Sequence, residues 1–145
     1  MSSLERAIAI AAEAHRGKKD KAEAPYILHP LRVMFEMTTD EERIVAVLHD
    51  VVEDSTAWSL QKLRAEGFSN TILEAIDSVT NRQDETYDDF IERARRNPIG
   101  RRVKIADVRD NLNLNRIAQP TGSDYARLEK YRGALTRLQE TVELP

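Results

Sequence analysis

The stretch LHDVVED, Leu48 to Asp54, sets four ionisable side chains among aliphatic neighbours. His49, Asp50, Glu53 and Asp54 are flanked by Val45, Val47, Leu48, Val51 and Val52. On a helix, His49 and Glu53 stand one turn apart, as do Asp50 and Asp54, so the charges line one face of an otherwise apolar segment. Charged groups stranded near a core are costly unless something pairs with them. A divalent metal is the simplest partner, and the rest of the chain must then supply further ligands.

The segments around this one read as helices. Asp40 is placed to cap the central helix, with Glu41 and Glu42 in its first turn, and the helix runs to Asp54. Upstream, Leu4, Ile8, Ala11, Ala12 and His15 follow the helical period over residues 3–16, Ser2 or Ser3 caps them, and Gly17 ends them. His15 lies on the apolar stripe and is expected to be a hydrogen-bonded core histidine. Pro25 and Pro30 bracket His29, and Pro30 suits the first turn of a helix through Val33, Met34 and Met37. Downstream come a short helix at 59–66, another at 69–80, and one that Thr86 caps and Asn97 and Pro98 end. A further helix covers Ile99 to Ile117. A last one starts at Ser123 or Asp124 and carries Tyr125, Leu128, Tyr131, Leu135, Leu138 and Val142. No β alternation or internal repeat is evident. The expected fold is all-α, a compact single-domain bundle of about seven or eight helices over residues 1–145.

Composition narrows the function classes. Of 145 residues, 41% are hydrophobic and 32% charged, with a formal net charge of −3, which gives no global attraction for nucleic acid. The absence of cysteine excludes disulfides and thiolate metal sites. No run is long enough for a membrane span and no signal-peptide pattern is present, so a cytoplasmic protein is expected. The stripe of Tyr125, Tyr131 and Leu138 suits the core better than a partner, and a homodimer is left open.

His29, His49, Asp50 and Asp107 form the candidate metal set. Asp107 lies within the helical run KIAD, with Lys104 and Asn111 on the same face. Mixed nitrogen and oxygen ligation suits manganese, iron or zinc and leaves positions open for hydrolytic chemistry. Glu53 and Asp54 are placed to orient and deprotonate a water. Lys18, Lys19 and Lys21 precede His29 in a polar loop and are within reach of a phosphate.

The ordered pattern His … His-Asp … Asp resembles the HD superfamily of metal-dependent phosphohydrolases. The segments AHRGK, PYILHPLRV, LHDVVEDS, Val79-Thr80 and KIADVRDNL further resemble the hydrolase domain of RelA/SpoT-type enzymes, over about residues 4–118. Free-standing small alarmone hydrolases of that kind are close to this length. The resemblance implies an all-α fold and removal of the 3′-diphosphate from (p)ppGpp. It implies His29, His49, Asp50 and Asp107 as ligands to manganese, Glu53 and Asp54 as water activators, and Asn111 as a nucleotide contact. Lys19, Lys21 and Lys104 complete the candidate substrate-binding set. The synthetase half of the long family members is expected to be absent.

This chain departs from the family at three places. Asp20 stands opposite an arginine that stacks on guanine, Asn81 replaces the lysine of VTK, and Asp110 replaces a common histidine. These departures are expected where base and ribose would be gripped. An adenosine alarmone such as ppApp, another nucleoside phosphate, or NADPH is therefore an alternative substrate. A catalytically silent nucleotide-binding or partner-binding module is the rival from another class.

Overall fold

The computed structural model describes residues 2–113, 117 and 119–140. The described residues form helices α1 (Leu4–Ala14), α2 (Leu28–Phe35), α3 (Asp40–Leu48), α4 (Val51–Asp54) and α5 (Leu60–Ala65). They continue with α6 (Asn70–Ser78), α7 (Tyr87–Arg96), α8 (Pro98–Asn111) and α9 (Gly122–Gln139). Among them there is no strand, only an isolated bridge between Lys19 and Pro25. The all-α expectation holds, and the count is eight if α3 and α4 are taken as one interrupted helix. No described helix is long and apolar enough to cross a membrane.

The central helix is the one apolar on nearly every side. Val45, Ala46, Val47 and Leu48 are fully buried, and α3 packs against α1, α2, α6 and α8. Valines lower intrinsic helix propensity, so burial stabilises this helix, at roughly 1.5–3 kcal/mol for each fully buried aliphatic side chain. A second apolar cluster joins α7, α8 and α9 through Ile91, Ala94, Val108, Ala134 and Leu138.

The ends of the helices differ in detail from the sequence expectation. Thr39, not Asp40, caps α3, in a capping box with Glu42. Likewise Thr121 caps α9 with Asp124, so that helix begins at Gly122. The central helix does not run unbroken to Asp54. His49 Nδ1 lies 2.6 Å from the Ala46 carbonyl, the acceptor that the Asp50 N–H would use in a continuous helix. The chain turns there and α4 resumes with Asp54 N–H donating to the Asp50 carbonyl at 2.9 Å. The α8 helix stops at Asn111 rather than Ile117, and residues 114–116 of that expected extension, like Val142, lie outside the described residues. Leu138 is buried and Tyr131 packs partly against the second cluster, whereas Tyr125 is exposed, against the core expectation.

Gly100 lets α8 approach α6. A Cβ at that position would fall 2.0 Å from Ser78 Oγ and 3.2 Å from Ser78 Cβ. The Ser78 hydroxyl is buried and donates to the Ala75 carbonyl at 2.6 Å. Gly100→Ala is therefore expected to destabilise the protein by about 1–2 kcal/mol, overpacking outweighing the better helix propensity of alanine. Urea denaturation checks this, and Ser78→Ala in the same chain should restore part of the loss.

His15 is in the core, but it is not hydrogen-bonded as expected. Among the described residues neither ring nitrogen has a partner, and the ring rests 4.9 Å from that of Tyr26. Burial lowers its pKa to about 4, outweighing the nearby Asp50 charge. The sign follows directly: the unfolded chain takes up this proton near pH 6.5, before the folded one does. Stability should fall between pH 6.5 and about 4 on this account, by up to roughly 3 kcal/mol. Denaturation midpoints at pH 7, 5 and 4 should decline less steeply in His15→Leu than in the parent.

Candidate active site

Four side chains from three places in the chain converge beside α3. His29 comes from α2, His49 and Asp50 from the break after α3, and Asp107 from α8. Ligand atoms of His29, His49 and Asp50 lie within 4.8 Å of one another. Asp107 Oδ1 is 2.9 Å from His29 Nε2 and 3.5 Å from His49 Nε2. Asp50 Oδ2 is 3.2 Å from His49 Nε2 and 3.8 Å from His29 Nε2. All but Asp50 are buried, and the Asp50 side chain is 13% exposed.

The tautomers follow from the neighbours. A carbonyl only accepts, so His49 Nδ1–H donates to Ala46 and its Nε2 faces the two carboxylates. That Nε2 is buried and has no hydrogen-bond partner among the described residues. His29 Nδ1 lies 2.6 Å from Asp110 Oδ2, which leaves its Nε2 toward Asp107 and Asp50. The carboxylates around the two rings favour positive charge on them. Burial alone would lower the His29 pKa, yet hydrogen bonds to Asp107 and Asp110, and the charges of Asp107 and Asp50, hold it at about 10. His49 is raised likewise, the Asp50 and Asp107 charges overcoming burial. Two imidazole nitrogens and the Asp50 carboxylate, with Asp107 beside both rings, form a donor set that fits a divalent metal.

Several neighbours brace this set. Tyr26 Oη donates to Asp50 Oδ2 at 2.5 Å. Lys104, half-buried, donates to Asp107 Oδ2 at 2.7 Å, and its ammonium lies 4.7 Å from the Phe90 ring centroid. Asn111 Nδ2 donates to Asp107 Oδ1 at 3.2 Å. Against burial, Lys104 and His49 keep the Asp107 carboxyl well below the usual carboxylate range.

Glu53 and Asp54 are turned outward by α4. Glu53 Oε1 accepts the Asn81 backbone N–H at 2.7 Å, and the Asp54 carbonyl accepts from Lys18 Nζ at 2.8 Å. Though exposed, both are partly desolvated by the surrounding protein, which raises their pKa, and the Asp50 charge adds to each shift.

A cleft of about 400 Å³ opens beside the cluster, the size of a small-ligand pocket. His29 and Tyr26 belong to both, and Lys19, Lys21, Asn111, Arg127 and Tyr131 also line the cleft. Lys21 lies 3.6 Å and Arg127 2.5 Å from Asp124, the buried residue that completes the α9 capping box with Thr121. Lys104, expected beside the substrate, instead points to Asp107 and Phe90.

The three departures fall in different places. Asp20 lines the cleft, but its carboxylate accepts the backbone N–H groups of Ala22 and Ala24 at 2.8 and 3.0 Å, closing its own loop. Asn81 meets Glu53, and Asp110 stands behind His29. The roles of Tyr26, Arg32, Asp110, Asp124 and Arg127 were not read from the sequence. Asp110 was the most accessible to such reading, since it shares a helix face with Asp107.

No protein-family model matches the chain. It is 32% identical over 123 residues to the guanosine-3′,5′-bis(diphosphate) 3′-pyrophosphohydrolase MESH1 of Drosophila melanogaster, an alignment spanning 79% of this chain and 69% of that protein. The chain belongs to the guanosine-3′,5′-bis(diphosphate) 3′-pyrophosphohydrolase family. Longer relatives of the family align with only part of their length. One is the pyrophosphohydrolase of Aquifex aeolicus, 30% identical over 146 positions, with 86% of this chain and 21% of that protein covered. Another is named GTP pyrophosphokinase, from Streptomyces coelicolor, 31% identical over 157 positions, with 99% of this chain and 17% of that protein covered. The chain therefore spans about a fifth of the length of these two longer relatives.

Proposed function

We propose that this protein is a metal-dependent hydrolase that removes the 3′-diphosphate from guanosine-3′,5′-bis(diphosphate)-type nucleotides, releasing pyrophosphate and GDP or GTP. The observation that carries this reading is the convergence of two imidazoles and two carboxylates at the edge of a cleft lined by Lys19, Lys21 and Arg127. His29, His49, Asp50 and Asp107 hold the ion, with manganese as the metal. A divalent cation there supplies Lewis acidity to the phosphoryl oxygens.

The protein's own residues supply the rest. A water oxygen attacks the phosphorus bonded to O3′, the P–O3′ bond breaks, and the water proton passes to Glu53 or Asp54 and then to the departing O3′. Both are exposed carboxylates on α4, able to accept a water proton. Lys19, Lys21 and Asn111 bind the phosphates and ribose, and Lys104 steadies Asp107 rather than touching the nucleotide.

The guanine preference is the part with a competitor. Asp20 is folded into its loop and presents no planar cation to a base, so adenosine 3′-diphosphates such as ppApp form the second reading. Incubation with Mn²⁺ and ppGpp or ppApp, followed by chromatography, should yield pyrophosphate with GDP as the faster product. Faster turnover of ppApp would establish the second reading. Tight nucleotide binding without turnover would establish a silent binding module.

A further inference from the structure

We infer that Asp110, braced by Arg32, is a positioning residue that aims His29 Nε2 at the metal. The inference rests on the reading of His29 as a ligand. Asp107 and Asp110, one turn apart on α8, take opposite nitrogens of the same ring: Asp107 Oδ1 lies 2.9 Å from Nε2, and Asp110 Oδ2 lies 2.6 Å from Nδ1. The imidazole is thus gripped on both edges from a single helix. Its orientation is set by α8 as much as by α2.

Arg32 explains why Asp110 can be a carboxylate in this place. It sits one turn after His29 on α2 and forks onto Asp110, Nε to Oδ1 at 2.7 Å and Nη2 to Oδ2 at 3.1 Å. The guanidinium neutralises a carboxylate that is only 12% exposed, and it fixes the carboxylate plane. The two histidines differ in this respect. His49 donates to the neutral Ala46 carbonyl, whereas His29 donates to an ionised group. A charged acceptor on the far nitrogen locks the tautomer more firmly and makes the near nitrogen a better donor to a metal.

Arg32 and Asp110 also line a second cleft of about 340 Å³, together with Phe35 and Arg109. A small cation entering from solvent can therefore reach Asp110. This permits chemical rescue in the intact chain.

The test is direct Mn²⁺ titration of the metal-free protein, followed by calorimetry, for the parent, His29→Ala, Asp110→Asn and Arg32→Ala. Asp110→Asn should weaken Mn²⁺ binding by about 10- to 100-fold, the usual cost of losing a partner behind a ligand, and leave the nucleotide KM unchanged at saturating Mn²⁺. Arg32→Ala should also bind Mn²⁺ more weakly. Low-millimolar guanidinium chloride should recover that loss, where sodium chloride at equal ionic strength does not. Parental Mn²⁺ affinity in Asp110→Asn, with His29→Ala impaired, overturns the inference and leaves the metal site standing. Parental affinity in His29→Ala overturns the site itself. A raised KM with intact metal binding in Asp110→Asn makes Asp110 a substrate contact, against the inference. Should Asp110→Asn fail to fold, the guanidinium experiment on Arg32→Ala decides, and absence of rescue rejects the brace.

Discussion

His49→Ala should lose Mn²⁺ binding and lower turnover of ppGpp by about 10³-fold or more, while circular dichroism still shows the helical content of the parent. The magnitude follows from losing a metal that supplies several kcal/mol of charge stabilisation, each 1.36 kcal/mol being tenfold in rate. His49 is the most telling ligand to remove because its ring has one other bond to make, the donation to Ala46 at the end of α3. Its Nε2 has no hydrogen-bond partner among the described residues. Alanine at this position leaves the Ala46 carbonyl free for the Asp50 N–H, so the backbone has a helical alternative. Full turnover in His49→Ala, with metal present in the assay, would show that the chemistry is carried elsewhere.

Glu53→Gln should have the opposite profile: Mn²⁺ affinity within a few-fold of the parent, and turnover lower by about 10²- to 10⁴-fold, the range for losing a general base. Glutamine keeps an oxygen that can accept the Asn81 N–H, now made at 2.7 Å, so the loop after α6 need not move. What is lost is basicity. Asp54→Asn gives the comparison, since Asp54 is raised by the same two causes, partial desolvation and the Asp50 charge. If only Asp54→Asn is impaired, Asp54 is the base and Glu53 serves to hold Asn81.

Local features of the chain were legible without the fold. Capping side chains at Ser3 and Thr86 and the helical periods of α1, α6 and α7 depend on near neighbours in sequence. So does the apolar character of α3. The cap at Thr39 was also written locally, as threonine three residues before Glu42, although the neighbouring Asp40, named from the sequence instead, is an equally suitable capping type. His15 shows the limit: its place in the core was readable from its helical stripe, whereas the want of a hydrogen-bond partner was not.

The candidate site divides the same way. Spacing and residue type nominated His29, His49, Asp50 and Asp107, since no local structure accounts for such groups in aliphatic surroundings. The fold brings them together, but it also assigns the neighbours differently from the linear reading. Lys104 is turned to Asp107 and Phe90, Asn81 to Glu53, and Asp110 to His29 and Arg32. These partners depend on which face of α8 meets α2 and on where the loop after α6 returns. Arg127 and Tyr131 join the cleft because α9 packs beside α7 and α8.

By itself, the sequence determined the helical character of the chain and the small group of side chains able to bind a metal. Helical period and residue chemistry are properties of neighbouring positions, so one dimension suffices for them. Tertiary structure alone decided the break at His49–Asp50, the clamp on both edges of His29 and the cations facing the cleft. The clamp and the cleft are contacts between segments far apart in the chain, made by how buried helix faces pack, and the break is a local choice by the buried His49 ring to bond the Ala46 carbonyl.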